Sequence, residues 1–247
     1  MLAQMQHPPF IFEEKEWIYK WYLATSIPQF ATSNSIISSL FDISLLVFTV
    51  GFLLSKKRIF AVLFSLVALN YFLTFNMVTG HHYHGMVGLL IISVPFWFKS
   101  EERFSFSWDA ARYYLLYIFS SAALWKILRG SALYHDQLSN ILKAQQIDLL
   151  LQNPDSFKAH IAQYLIANTG VSHALLIAVV VLQLAFITGF FTRKYDMVLF
   201  ALSIAFVIAN YWVMGIVSFE LLILNLTLLN WEKIEAYLIK KEIVTNE

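Results

Sequence analysis

The chain has 247 residues, of which 59% are hydrophobic, 17% aromatic and only 13% charged. A soluble domain carries about 25% charged residues, so 13% leaves too few polar groups to cover a water-facing surface of this size. A hydrocarbon solvent removes that conflict, and the sequence reads as an integral membrane protein. The net charge of +1 excludes a broad basic surface for nucleic acid. With no cysteine, disulfides, thiolate metal sites and covalently attached haem are excluded as well.

A membrane-crossing helix needs about 20 mainly apolar residues, and the apolar runs predict an all-α bundle of six or seven transmembrane helices. Residues 1–34 precede the first of them and lack the basic-then-apolar pattern of a secretory signal. Phe10, Trp17 and Trp21 share one side of a helix, with Glu13, Glu16 and Lys20 elsewhere. That pattern predicts an N-terminal interfacial segment, because Trp and Tyr favour the headgroup level. The first crossing helix, Ile36 to Leu54, then acts as an uncleaved anchor and contains Asp42. It closes on Ser55-Lys56-Lys57-Arg58.

The second run, Ile59 to Thr79, leads into Gly80-His81-His82-Tyr83-His84-Gly85, and a shorter third run covers Met86 to Phe98 with Pro95 inside it. Residues 99–108 read as a polar turn. The fourth run, Ala110 to Leu128, carries Arg112 near one end and Lys126 near the other. Between 131 and 168 the apolar residues recur every three or four positions, first over Leu138–Leu149 and, after Asn153-Pro154-Asp155-Ser156, over Phe157–Leu165. Two amphipathic surface helices are expected there. A fifth run covers His173 to Phe191. Residues 197–231 read as two short crossings divided by Gly215, and 232–247 as a cytoplasmic tail.

Basic residues favour the cytoplasmic side. One orientation places Lys56, Lys57, Arg58, Lys99, Arg103, Arg193, Lys194, Lys233, Lys240 and Lys241 inside, against Lys15, Lys20, Arg129, Lys143 and Lys158 outside. The N-terminus is then outside and the C-terminus inside. The expected location is a bacterial inner (cytoplasmic) membrane, with the lipid bilayer itself and a membrane-protein partner or second copy as contacts.

Lys126 is the leading chemical candidate. An ionised lysine at the centre of a crossing helix costs about 2.5–3.5 kcal/mol on insertion scales, so it either faces the bundle interior as a possible general base or snorkels to the headgroups. On an ideal helix Arg112 lies within about 40° of it, but its position near the cytoplasmic end suggests an anchor. His81 and His84 have the spacing of a proton-transfer pair or, completed by His135 or His160, of a metal site; a solvated turn explains them equally. No metal is expected on balance. Asn70, Asn210 and Glu220 are candidate binding residues on apolar helices, and Gln183 and Asn225 suit hydrogen bonds between helices. Glu220 is a plausible partner for Lys126.

The stretch from Arg112 to Tyr134, an aromatic-rich helix with small residues, then Lys126-Ile127 and a Gly130-Ser131-Ala132-Leu133 segment, resembles the HTTM family. These horizontally transferred transmembrane domains include the membrane part of vitamin K-dependent γ-carboxylase-like proteins, and a distant DoxX-like relationship goes with them. Residues 183–219, with the Arg193-Lys194 turn, are similar to the family's closing helices. The resemblance implies a lysine that deprotonates a reduced quinone on the outer side. Where members often carry a Phe-His pair this chain has Phe206-Val207, and no large soluble portion follows Trp231. Protein γ-carboxylation is therefore not expected. The favoured expectation is a non-enzymatic or accessory component contacting a partner subunit. The alternative is a quinone- or lipid-linked oxidoreductase or carboxylase-like enzyme with Lys126 as base and His81 and His84 assisting.

Overall fold

The structure is a computed structural model and describes residues 17–31, 35–79, 84–216 and 218–231. These are mainly helical, with no strand among the described residues. Three helices are long and apolar enough to cross a membrane: Ile36–Ser55, Thr169–Phe190 and Asp196–Met214. The chain divides into two compact units, residues 1–111 and 112–247.

The first unit begins with two short helices, α1 (Trp17–Ala24) and α2 (Ile27–Ala31). Trp17 and Trp21 are exposed, while Tyr22 is buried against Leu73. Next come α3 (Ser35–Ser55) and α4 (Arg58–Thr79), which pack on each other. Their turn is tight: Ser55 Oγ donates to Gly51 O at 2.6 Å, and Lys56 adopts a left-handed φ of 55°. Gly51 is fixed by space, since a Cβ there would lie 2.8 Å from the Phe60 ring.

The third apolar run forms α5 (His84–Ser93) and a 3-10 turn, Val94–Trp97, that starts at Pro95's neighbour. It is tied to α4 by Ser65 Oγ, which lies 2.6 Å from Ser93 Oγ and accepts from Trp97 Nε1 at 3.0 Å.

The expected polar turn at 99–108 is instead the opening of a 28-residue helix, α6 (Glu101–Leu128). Two causes are visible. Glu101 and Glu102 occupy its first turn, where carboxylates oppose the positive end of the helix. Phe104 and Trp108, one turn apart, stack at 5.8 Å and both meet Phe96 edge-on. The residues are polar on average, but their aromatic members keep helical spacing.

In the second unit the amphipathic segment becomes three helices: α7 (Gln137–Gln145), α8 (Ile147–Gln152) and α9 (Phe157–Ala167). The break within the first expected helix falls at Gln146, whose Nε2 donates to Val213 O at 3.3 Å. The break at 153–156 appears as expected, with Ser156 Oγ accepting from Ala159 N to cap α9. The remaining elements are α10 (Thr169–Ala185) with a 3-10 extension to Phe190, α11 (Asp196–Met214), and α12 (Phe219–Asn225) with a 3-10 turn to Leu228. Gly215, at φ 73°, ends α11 in the left-handed conformation that glycine tolerates best. It does divide 197–231, but Phe219–Leu228 measures only about 15–20 Å, short of a hydrocarbon core of about 30 Å.

Candidate functional site

The polar groups of the second unit occur as cross-links between apolar helices. At the first level, Arg112 is buried at 1% exposure on α6. Its Nε donates to Asp196 Oδ2 at 2.9 Å, and its Nη2 donates to Asp196 Oδ1 at 2.6 Å and to Gly189 O at 2.9 Å. Asp196 is the first residue of α11, so this fork joins α6, the end of the α10 extension and α11. Gly189 permits the approach: a Cβ there would sit 2.6 Å from Leu116 Cδ2. Arg112 is thus no interfacial anchor, contrary to the expectation from its position near the helix end.

Above this pair the helices meet through aromatic rings. Phe119 stacks on Phe186 at 4.1 Å and meets Phe206 edge-on at 5.3 Å. At the next level Lys126 Nζ donates to Gln183 Oε1 at 3.0 Å and to Ala122 O at 3.3 Å. Ala122 lies one turn back along α6, so the side chain runs toward the helix N-terminus and the middle of the unit. A snorkelling lysine at this position would point the other way. Gln183 is 4% exposed and sits on the buried face of α10 with Ser172, Leu176 and Val180. The ammonium thus has a neutral carboxamide on α10 as a side-chain partner.

The other candidates distribute as follows. Glu220 is buried in the first turn of α12, and Asn210 is half-buried on α11. Asn70 belongs to the first unit, where it is buried on α4; Tyr22 Oη donates to its Oδ1 and lies 2.9 Å from Thr74 Oγ1. Asn70 Nδ2 is buried with no hydrogen-bond partner. Burial pushes the Tyr22 hydroxyl pKa up from its ordinary value, opposed by the hydrogen bond to Thr74. His81 and His82 lie outside the described residues, and of His84 only the backbone, at the start of α5, is described. His135 and His173 are brought together with their rings stacked 5.2 Å apart. Among the described residues no three His, Asp or Glu side chains gather in a metal-holding group.

Sequence reasoning passed over Asp196 as a turn residue. A signal for it was present: the basic-residue orientation puts the Arg112 end of α6 and the turn before α11 on one side, and Asp196 is the acid at that turn. Tyr22 gave no comparable signal, because a tyrosine in an aromatic interfacial helix reads as part of the belt.

No protein-family model, characterised protein or solved structure matches the chain.

Proposed function

We propose that the chain is an integral membrane protein of the HTTM or DoxX-like type, acting as a non-enzymatic component that contacts a partner subunit. In this reading six or seven helices cross a bacterial inner membrane, α7–α9 lie along its outer surface, the N-terminus is outside and the C-terminus inside. The observation that carries the non-enzymatic role is the use made of the two cations: Arg112 and Lys126 are both spent on cross-linking α6 to α10 and α11. Both partners of Lys126 are acceptors, which is what a structural ammonium needs. A brace of this kind gives a rigid scaffold whose outer apolar faces are free for lipid and for another membrane helix.

One observation favours the second reading, a quinone- or lipid-linked enzyme. Lys126 donates to two neutral acceptors, Ala122 O and Gln183 Oε1, and an ammonium has a third N–H for a ligand oxygen. A quinol would supply the redox chemistry; Lys126 would hold or take the proton at Nζ, with Gln183 Oε1 fixing the amine.

Lys126→Met separates the two, since it keeps the stem and removes the charge. The brace predicts a lowered unfolding temperature, matched by Gln183→Leu. An unchanged unfolding temperature in both variants contradicts the brace and leaves Lys126 to chemistry.

A further inference from the structure

Four side chains of the second unit come together where α9 meets the end of α11. Lys158 Nζ lies 3.5 Å from the centre of the Tyr211 ring and 5.5 Å from that of Trp212. Phe157 meets Trp212 edge-on at 5.9 Å, and Trp212 meets Tyr211 edge-on at 5.6 Å. The three rings are exposed, and Lys158 is half-buried. Among the described residues no ion pair involves Lys158. Its ammonium is held on ring faces, with donors left for an anion.

A second pair of this kind lies at the same depth on another helix. Arg129, just past the end of α6, has its guanidinium 4.1 Å from the centre of the Trp125 ring. The Arg112–Asp196 and Phe119–Phe206 contacts show that α6 and α11 run in the same direction. Counted from Phe119 and Phe206, Trp125 and Trp212 are each six residues on, about 9 Å along either helix. At the opposite end of α11 Lys194 lies over Tyr195 at 5.7 Å, and the stretch between, 197–210, carries no charge. Uncharged helix flanked at both ends by rings and cations is the pattern of the two headgroup levels, where Lys and Arg turn their charge to the phosphates.

We propose that Phe157, Lys158, Tyr211 and Trp212 form a phospholipid headgroup site, in which the Lys158 ammonium binds the lipid phosphate and the rings lie against the glycerol and upper acyl chain. The inference rests on the membrane reading above and adds a lipid class to it. Phosphatidylglycerol is preferred over phosphatidylcholine, because its phosphate has no ammonium of its own to compensate it.

Native mass spectrometry of the full-length chain, gently extracted and mixed with equal amounts of the two lipids, tests this. The wild type should retain phosphatidylglycerol about fivefold over phosphatidylcholine, the worth of one basic residue at an anionic surface. Lys158→Gln should make retention nearly even, and Lys158→Arg should keep the preference. Lys143→Gln, which changes an exposed lysine on α7, should leave it as in the wild type. An unchanged preference in Lys158→Gln overturns the proposal. In bilayers of the same lipids, a spin label on Tyr164→Cys, seven residues on from Phe157 and on the same side of α9, should be reached by both bilayer oxygen and an aqueous nickel chelate. A label reached by the chelate as freely as in solution puts α9 in water and overturns the site. A chain that does not enter bilayers overturns the membrane reading with it, whereas a label at headgroup depth with an unchanged lipid preference overturns the site alone.

Discussion

At the scale of single residues, Arg112 and Asp196 show why a buried pair must be judged as a pair. Replacing such a pair by apolar residues of similar volume is often neutral, whereas removing one partner leaves a buried charge and costs about 3–5 kcal/mol. Asp196→Ala should therefore lower stability by about that much in a denaturation experiment, and the double change Arg112→Met with Asp196→Leu should recover most of it. Tyr22 offers a pH test. Its raised pKa means the unfolded phenol ionises first as pH rises. The stability contributed by the neutral hydroxyl is complete below about pH 10, the ordinary tyrosine value, and is lost as pH climbs through the higher folded value. Tyr22→Phe should flatten that alkaline loss. At neutral pH it should cost about 1–3 kcal/mol, because Asn70 Oδ1 loses its donor.

Among the helices, the long apolar elements were legible in the sequence because a continuous run needs no partner to announce itself. The break at Asn153–Ser156 was legible for a local reason too, the capping serine. What escaped was set by tertiary contact. Residues 101–108 become helix because Phe104 and Trp108 have Phe96 to pack on. The first amphipathic segment breaks at Gln146 because Val213 O is within reach. The site divides the same way: Lys126 stood out as a cation in an apolar run, whereas its partner Gln183 was one of several buried amides and only packing selects it. Gly215 tests the local side. Gly215→Ala must hold an alanine at φ 73° and should cost about 1 kcal/mol; Gly130→Ala, at φ 70°, should cost about the same, because a Cβ meets only ordinary contact at 215 and open space at 130.

For the whole molecule, the proposed arrangement follows from sequence charge and from the apolar side chains that the long helices leave uncovered. Leu46, Leu54, Val181 and Met197 are more than half exposed, which suits hydrocarbon and not water. Because the chain has no cysteine, single cysteines report topology cleanly. Positions 136 and 145 should react with an impermeant maleimide from outside, and position 57 only after the membrane is opened; labelling of 145 from the cytoplasm alone inverts the orientation. The proposed role as a braced, non-enzymatic component is tested most directly by native mass spectrometry of the gently extracted wild-type protein. That role predicts a second polypeptide at fixed stoichiometry, still bound in Lys126→Met. A quinone-sized mass that is present in the wild type and absent from a folded Lys126→Met protein would contradict it.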